Sequence, residues 1–346
     1  MKIALDSTYS LGANLSGVGV YSREILAGLA RAHPGDRFVF CYRPHRFWRS
    51  FGERLPANAS RFLLGEDRSP RSADIFHGLN QRLPRTHLRR AVTTFHDLFV
   101  LTGNYSTAEF RQRFAAQARD AAARSDRIIA VSRFTACQVI DLLGVAKARV
   151  RVVHHGVRIP SQTSAAREKI ILHVGAVQHR KNVLRLLDAF EQVDREWQLV
   201  LAGSAGFGAD RIASRIAASR SRDRIRMLGY VSPPELASWY SRAMLFAFPS
   251  LDEGFGMPVL EAMAAGVPVV ASNRSAVPEV AGEAALLIDP ENTQELADAL
   301  VMLTQDERRR AELTRRGLER ASKFTWQEAI EKTWQVYWEL AAGTPA

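Results

Sequence analysis

The stretch SLDEGFGMPVLEAMAAGVPVVAS, residues 250–272, places two glutamates eight residues apart, Glu253 and Glu261, around a turn that contains two glycines and a proline. The turn opens an apolar helix, and the free N–H groups and dipole of a helix start attract anions. A glutamate next to such a start has two interpretations. Either Glu253 is itself the capping anion, or the site binds a ligand that carries phosphates and also presents hydroxyl groups to carboxylates.

Short β-branched runs alternate with segments of helical periodicity on both sides of this stretch. The runs of the first half are KIALDS, RFVFCYR, ADIFHG, AVTTFHD, RIIAVS and VRVVHHGV. Those of the second half are IILHVGAV, WQLVLAGSAG, IRMLGYV, MLFAFPSL, PVVASN and ALLID. This alternation is typical of βαβ units. It predicts an α/β fold with mainly parallel sheets that are covered by helices.

The alternation is interrupted by a polar segment around residues 157–169 and then restarts. We therefore predict two doubly wound domains, residues 1–160 and 169–322, joined by a linker. Residues 323–346 predict an amphipathic helix that docks back across the first domain. Its aromatic residues are Trp326, Trp334, Tyr337 and Trp338. Because open α/β sheets bind ligands at the carboxyl ends of their strands, we expect the ligand in a cleft between the two domains.

Composition and charge narrow the class of protein. Of the 346 residues, 47% are hydrophobic and 24% are charged, as in soluble globular proteins. No apolar run reaches the ~18 residues of a membrane span and no signal peptide precedes MKIALDS, so we expect a cytoplasmic protein. The net charge of +11 favours phosphorylated small molecules or anionic lipid surfaces as partners. Acids interrupt the arginine clusters, which favours solvated helix faces, and we expect no nucleic-acid partner.

The sequence also argues against several kinds of site. Cys41 and Cys137 form no CxxC or Cys/His pattern, so we predict two buried thiols and no structural zinc. The dinucleotide pattern GxGxxG fails after both Gly-x-Gly pairs, and the chain has no GxxxxGK[ST] loop. It has no Asp-x-Asp pair to hold a divalent cation. The absence of these motifs argues against nicotinamide chemistry, ATP hydrolysis and metal-dependent transfer. We therefore expect no cofactor and no metal.

Two further segments have the composition of ligand loops. In SGVGVYSREI, the residues Gly17, Val18 and Gly19 follow the first strand and open a helix, where glycine permits close approach of a ligand, although a tight loop explains them equally well. In HVGAVQHRKN, a strand ends at Gly175, and Arg180 and Lys181 stand at the start of a helix. Cations are unfavourable for a helix start, which favours a phosphate-binding role for this pair.

Together these segments resemble the retaining glycosyltransferases of family 4, also called glycosyl transferases group 1, which have a two-domain Rossmann-like fold named GT-B. The family's E-x7-E element is matched by EGFGMPVLE, its Arg-Lys pair by RKN, its glycine loop by SGVGVY and its first-domain HD by TTFHDL. The resemblance extends from Met1 to about Trp338, and its second half is the more diagnostic. Ala176 and Val20 depart from the family pattern, where many members have arginine or another polar residue.

The resemblance implies a role for each matched residue. Arg180 and Lys181, with the N–H groups near Gly254 to Met257, would stabilise the leaving diphosphate without a metal. Glu253 would bind hydroxyls of the transferred sugar, and Glu261 the ribose hydroxyls. His96, from the first domain, would contact the donor sugar near its reacting carbon. The nucleotide contacts implied by the family also include Gly17, Val18, Gly19, Gly175, Tyr230, Val231, Gly254, Phe255, Gly256 and Met257.

The resemblance is strongest to mannosyltransferases that assemble bacterial surface polysaccharides such as lipopolysaccharide. It implies GDP-mannose as the donor, with GDP-rhamnose, dTDP-rhamnose or a UDP-hexose as alternatives. The implied acceptor is a glycan on a polyprenyl diphosphate lipid, and the basic first domain would then dock on the inner membrane surface. A GT-B epimerase and a non-catalytic nucleotide-sugar-binding protein are alternatives of a different class.

Overall fold

The computed structural model describes residues 1–12, 14–158 and 166–343 of the chain. The chain divides into two units: unit 1 comprises Met1–Gly156 and Thr325–Ala346, and unit 2 comprises Val157–Phe324. The sequence places the domain boundaries at residues 160, 169 and 322. Within the predicted linker, residues 159–165 lie outside the described residues, as do residues 344–346 of the predicted final helix.

Unit 1 contains a parallel sheet with the strand order β3-β2-β1-β4-β5-β6-β7. Its strands are β1 (Lys2–Asp6), β2 (Arg37–Tyr42), β3 (Ala59–Leu63), β4 (Ile75–Gly78), β5 (Ala91–Phe95), β6 (Arg127–Ala130) and β7 (Val150–Val152). The helices are α1 (Gly17–Ala32), α2 (Pro44–Phe47), α3 (Phe99–Thr102), α4 (Ala108–Arg124) and α5 (Arg133–Leu143), together with the final helix of the chain. Short 3-10 turns occupy Thr8–Ser10, Trp48–Gly52 and Lys147–Arg149.

Unit 2 contains a second parallel sheet, with the order β10-β9-β8-β11-β12-β13. Its strands are β8 (Glu168–Val174), β9 (Gln198–Ala202), β10 (Ile225–Gly229), β11 (Ala243–Phe248), β12 (Val269–Ser272) and β13 (Leu286–Ile288). The helices are α6 (Val183–Phe190), α7 (Ala209–Ala217), α8 (Pro233–Arg242), α9 (Met257–Ala264), α10 (Val277–Ala281), α11 (Thr293–Gln305) and α12 (Glu307–Ala321). Its 3-10 turns are His179–Lys181, Arg222–Arg224 and Gly282–Ala284.

The first strand illustrates why these segments form buried strands. Successive side chains of a strand point to opposite faces of the sheet. Ile3 and Leu5 therefore join the core that lies under α1, whereas Ala4 joins the core on the other face. All three are fully buried, so the strand is apolar on both sides, as parallel strands between two layers of helices are. The predicted α/β class is correct.

The last helix, α13 (Trp326–Ala341), completes unit 1, as the sequence predicts. Val336, Tyr337 and Leu340 belong to the same core as α1. The Tyr337 hydroxyl lies 2.5 Å from Nδ1 of His77, whose Nε2 lies 2.8 Å from the Thr94 hydroxyl. A buried hydrogen-bonded chain therefore fixes the helix to strands β4 and β5.

Two sequence-based expectations about individual side chains are wrong. Trp338 is 62% exposed and takes no part in the predicted docking face of α13. Cys41 is a buried thiol as predicted, but Cys137 is exposed on the outer face of α5. In both cases the preceding residue, Tyr337 or Ala136, is buried, and the exposed side chain lies about 100° further around the helix axis. Among the helices of the described residues, none has both the length and the hydropathy that crossing a membrane requires.

A prediction concerns the contact of α13 with α1 at Gly28. A Cβ atom at Gly28 would lie 2.0 Å from Cδ1 of Ile330, so this glycine permits the two helices to approach closely. We expect Gly28→Ala to lower the free energy of unfolding by about 1–3 kcal/mol through overpacking. The control is a double-mutant cycle with Ile330→Ala, which removes the atoms that clash. The loss in the double variant should be smaller than the sum of the two single losses in urea unfolding. Strictly additive losses would contradict the proposed contact.

Candidate functional site

Four neighbouring strands of unit 2 end in glycine turns at one edge of the sheet. Gly175 follows β8, Gly203 follows β9, Gly229 ends β10 and Gly256 follows β11, and all four have positive φ. Because these strands are parallel neighbours, their carboxyl ends meet at the same edge. A Cβ at Gly203 would lie 1.9 Å from the carbonyl oxygen of Gly175, so only glycine fits there. Gly203 is a residue that sequence reasoning missed, although the run LAGSAG at the end of β9 contains it.

The predicted cation pair follows the first of these turns. Arg180 and Lys181 lie in the 3-10 turn His179–Lys181, and α6 begins only after Asn182, which has a φ of 58°. The pair therefore stands immediately before α6 and not in its first turn, because the left-handed Asn182 separates the two elements. The Asn182 amide donates to the carbonyl oxygens of Pro249 at 3.0 Å and Pro290 at 2.6 Å. It thereby ties this loop to those that follow β11 and β13.

The two cations bind one carboxylate. Lys181 Nζ lies 2.5 Å from Oε1 of Glu253, and an Arg180 guanidinium nitrogen lies 3.2 Å from Oε2. All three side chains are 9% exposed. Arg180 also donates to the backbone carbonyl of Asp252, and the Lys181 ammonium lies 4.9 Å from the ring centroid of Phe248. The structure thus brings together three of the predicted site residues in a buried cluster.

The charge of this cluster follows from its composition. Burial raises the pKa of Glu253, but Lys181 and Arg180 outweigh that effect and bring the pKa to about 2. Glu253 is therefore ionised at any physiological pH, and the cluster of two cations and one anion retains one positive charge. The Glu253 backbone N–H donates to the Ser275 hydroxyl at 3.0 Å, which fixes the carboxylate's own loop.

These contacts decide between the two interpretations of the glycine-rich turn. The N-cap residue of α9 is Gly256, and no side chain caps this helix. Glu253 is therefore not the capping anion, because its carboxylate is held by Lys181 and Arg180 instead. The sequence between Glu253 and the start of α9 consists of Gly254, Phe255 and Gly256, and all three are buried. Met257, the first residue of the helix, is partly buried.

The second glutamate has a different partner. Glu261 lies one turn further along α9, and the Tyr240 hydroxyl from the end of α8 donates to its Oε2 at 2.9 Å. Burial raises the pKa of Glu261 to about 7, and the hydrogen bond from Tyr240 only partly opposes this rise. Unlike Glu253, this carboxyl group changes its charge near neutral pH. Sequence reasoning missed Tyr240, because nothing in the run ELASWYSR distinguishes it from a core aromatic residue.

The remaining predicted positions of unit 2 lie at the end of β10. Gly229 ends that strand, Tyr230 is 41% exposed and Val231 is partly buried. The N–H of Gly203 donates to the Gly229 carbonyl oxygen at 2.8 Å, which joins the turns after β9 and β10. Their backbone is thus placed at the same edge as the ion cluster.

The predicted residues of unit 1 lie at the carboxyl edge of its own sheet. His96 directly follows β5, is buried, and its Nε2 lies 2.9 Å from the Leu79 carbonyl oxygen. Burial lowers the pKa of His96 to about 4, so the ring is neutral. A carbonyl oxygen only accepts, so Nε2 carries the proton and Nδ1 is the acceptor of the ring.

The predicted glycine loop of unit 1 forms the first turn of α1. Ser16 caps the helix by accepting from the N–H of Gly19 at 3.3 Å. A Cβ at Gly19 would lie 2.9 Å from the Tyr9 carbonyl oxygen, whereas one at Gly17 would contact nothing. Packing therefore explains Gly19 and leaves Gly17 and the partly buried Val18 without a structural requirement for their residue types. Across residues 1–12, 14–158 and 166–343, no group of three or more His, Cys, Asp or Glu side chains could hold a metal ion.

Comparisons with known proteins agree with this arrangement. The family model "Glycosyltransferase Family 4" matches residues 15–159, and "Glycosyl transferases group 1" matches residues 158–320. The sequence is 32% identical to O-antigen chain mannosyltransferase B of Escherichia coli, over 97% of this chain and 99% of that protein.

Solved structures agree with the fold. Sucrose-phosphate synthase from Thermosynechococcus elongatus matches with a TM-score of 0.82 and 21% identity, over 99% of this chain and 100% of its own. Anabaena Alr3699/HepE, solved in complex with UDP and glucose, matches with a TM-score of 0.75 and 19% identity over the same shares. At these identities the likeness concerns the fold alone. It confirms the predicted pair of Rossmann-like units named GT-B.

The ion cluster predicts a large effect of Glu253 on stability. Glu253→Gln removes the anion and leaves two buried cations, and loss of one partner of a buried ion pair typically costs about 3–5 kcal/mol. The pKa of the carboxyl group is lowered on folding, so its contribution is present above pH ~4.5 and is lost as the pH falls toward 2. We expect urea unfolding to show a deficit for the variant at pH 7 that shrinks at pH 3.

The matched control is Glu168→Gln, which breaks the exposed ion pair with Arg242 in the same unit. Exposed pairs contribute about 0–1 kcal/mol, so this change should be nearly silent. If Glu253→Gln cost no more than Glu168→Gln, the buried cluster would not have the energetic role assigned to it.

Proposed function

Because the chain belongs to the glycosyl transferases of group 1, the family 4 glycosyltransferases, we propose that it transfers mannose from GDP-mannose to a hydroxyl of a growing glycan. Glycosyltransferases bind nucleotide-sugar donors and glycan acceptors, and this protein is a glycosyltransferase. Mannose is favoured because the mannosyltransferase relative from Escherichia coli aligns over almost the full length of both chains.

One observation supports the donor site above the others: two glutamates with very different pKa values lie on either side of the N-terminus of α9, which no side chain caps. Glu253 is permanently ionised beside Lys181 and Arg180, and Glu261 faces Tyr240. Carboxylates accept strong hydrogen bonds from hydroxyl groups. We assign the sugar hydroxyls to Glu253 and the ribose hydroxyls to Glu261, with the diphosphate between them at the start of α9.

The same cluster supplies the positive charge that transfer from a nucleotide sugar requires. Negative charge builds up on the departing diphosphate, and preorganised charges that stabilise it are commonly the largest catalytic contribution. Lys181 and Arg180 are already held in place by Glu253, and the start of α9, which no side chain caps, adds the positive end of a helix dipole. We therefore propose that transfer proceeds without a metal ion.

We further propose that the configuration of the sugar is retained without a covalent bond to the protein. A carboxylate whose pKa is near 2 and which binds two cations is a weak nucleophile. Glu253 then orients the donor sugar while the departing phosphate accepts the proton of the acceptor hydroxyl on the same face. A sugar adduct trapped on Glu253 would contradict this mechanism.

His96 is assigned a contact with the donor sugar. Its neutral ring, with Nδ1 as acceptor, suits a hydrogen bond from a sugar hydroxyl and not the binding of a phosphate. The acceptor proposed is a glycan linked to a polyprenyl diphosphate in bacterial surface polysaccharide synthesis, which would require contact with a membrane. Support for this comes from the O-antigen relative and from the net charge of +11.

The first prediction is selective binding of one nucleotide. In calorimetry with GDP, UDP and dTDP, we expect GDP to bind tightest, and we expect Glu261→Ala to lower that affinity roughly tenfold or more because charge-assisted hydrogen bonds to the ribose are lost. Glu196→Ala, an exposed acid of the same unit, is the control and should bind as the parent protein does. Selection of UDP or dTDP would instead support a glucosyl- or rhamnosyltransferase.

This affinity should also depend on pH, since Glu261 has a pKa of about 7. Only the ionised carboxylate accepts both ribose hydroxyls, so affinity for GDP-mannose should rise as the pH increases through 7. Glu261→Gln should abolish the dependence, and Tyr240→Phe should shift its midpoint to higher pH, because the hydrogen bond from Tyr240 lowers this pKa. If no nucleotide bound at any pH, the proposed transferase function would be refuted. Tight binding with release of a free sugar epimer would favour an epimerase.

The second prediction separates catalysis from binding. Lys181→Ala should lower turnover by roughly 100-fold, the scale for loss of one preorganised charge stabiliser. The measurement is release of nucleoside diphosphate from the selected donor. The control is Lys169→Ala, an exposed lysine of the same unit that should leave turnover unchanged. The assignment fails if Lys181→Ala and Glu261→Ala both reduce only the affinity for the acceptor.

A further inference from the structure

The most exposed large apolar side chain among the described residues lies in unit 1, in the connection from β2 to β3. Trp48 is 80% exposed and Phe51 is 58% exposed. Their rings are stacked with centroids 6.0 Å apart. We call this pair the aromatic tip. Single exposed apolar residues are ordinary, but a stacked pair of large aromatics is a contiguous apolar surface of the kind that marks an interaction site.

The aromatic tip is held in place by the residues beneath it. The Phe47 ring lies 5.6 Å from that of Trp48 and 5.5 Å from that of Phe51, and it packs against the core of unit 1. The Arg61 guanidinium donates to the Ser50 carbonyl oxygen at 2.9 Å and lies 5.0 Å from the centroid of the Phe51 ring. The rings are thus presented to solvent by a fixed backbone and would lose little freedom on contact with a partner.

The segment around the tip is strongly basic. Residues 44–61 contain four arginines and a single acid, Glu53. Glu53 lies 3.8 Å from Arg23 of α1, so its charge is directed to that residue. Arg49 lies between Trp48 and Phe51 in the sequence and Arg54 follows Phe51; both are exposed, and Arg46 is partly exposed. Aromatic rings flanked by arginines combine an apolar contact with bidentate donors to phosphate groups.

We propose that the aromatic tip and its arginines, Arg46, Arg49 and Arg54, form the surface by which the protein docks on an anionic lipid bilayer. Tryptophan favours the headgroup region, where its apolar ring and its N–H are both satisfied, and each arginine gains from the negative surface potential. An 80% exposed ring is a protrusion, and a fluid bilayer adapts to a protrusion, whereas a protein partner must supply a matching pocket. The whole chain's charge of +11 adds long-range attraction.

The position of the surface fits a lipid-linked acceptor. The segment starts directly after β2, and β2 ends at the same edge of the sheet as β5, which His96 follows. Three strand spacings separate the two strand ends, or about 14 Å. Docking there holds this edge of unit 1 near lipid headgroups. The role assigned to this contact, which is to bring the protein to a lipid-linked acceptor, rests on the proposed function. The binding of the tip to a bilayer does not depend on it.

The test is co-sedimentation with vesicles of phosphatidylcholine that contain or lack phosphatidylglycerol, at about 0.1 M salt, where charges beyond ~10 Å are screened. The full chain should bind the anionic vesicles only. Trp48→Ser/Phe51→Ser should lower the partition coefficient roughly tenfold or more, because two interfacial rings are lost. Arg46→Gln/Arg49→Gln/Arg54→Gln should do the same and should flatten the dependence on salt. The matched control is Trp338→Ser, which removes another exposed tryptophan of unit 1 and should bind vesicles as the parent does.

Nucleotide affinity distinguishes failure of this inference from failure of the proposed function. All these variants should bind the selected nucleoside diphosphate as the parent does, because none of the substituted residues is among those assigned to the nucleotide and the ion cluster belongs to unit 2. Vesicle binding that survives both multiple variants overturns the inference and leaves the proposed function intact. A parent protein that binds neither vesicle overturns it as well. The inference is also overturned if the tip variants abolish a dimer detected by sedimentation velocity but still bind vesicles.

Discussion

The carboxylate of Glu253 is the point on which the site of unit 2 depends. It joins two loops that are far apart in sequence and adjacent in the sheet, because β8 and β11 are neighbours. Lys181 and Arg180 reach it from the loop after β8, and burial makes each partner costly to leave alone. The glycines that follow β8 and β9 are part of the same packing around Lys181. Gly175 packs against the Lys181 side chain, where a Cβ would lie 3.2 Å from Cε, and Gly203 packs against Gly175.

The environment gives the two glutamates of the EGFGMPVLE run opposite properties. Two cations hold the pKa of Glu253 at about 2, whereas burial next to an uncharged hydroxyl raises that of Glu261 to about 7. Glu253 therefore keeps its negative charge across the physiological pH range, whereas Glu261 gains or loses a proton within that range. The start of α9 lies between them, and no side chain caps it. The loop before α9, the uncapped start of the helix and its second turn thus offer a fixed anion, a helix dipole and a titratable acceptor in succession.

The alternation of apolar runs predicted the α/β class and the two units, because burial on both faces of a parallel strand leaves a strong pattern in sequence. The amphipathic pattern of residues 323–346 predicted the return of the last helix. Patterns could not identify Tyr240, whose role arises from a contact with Glu261 across the fold. They also could not place Asn182, whose left-handed backbone moves the cation pair out of the helix. Trp338 and Cys137 show the limit for single residues, since helical periodicity predicts which face is apolar only to within one neighbour. The assignments of Glu253, Glu261, Arg180, Lys181 and His96 to parts of the donor stay predictions.

The return of α13 to unit 1 has a consequence for how the chain folds. Unit 2 is continuous, so all of its strands are available once residue 324 has been synthesised. Unit 1 begins first but lacks Val336, Tyr337 and Leu340 of its core until residue 340 has been synthesised. Contacts between residues so distant in sequence form slowly, and an exposed apolar face invites aggregation in the interval. The unit that emerges first from the ribosome is thus completed last, after the whole of unit 2 has been synthesised.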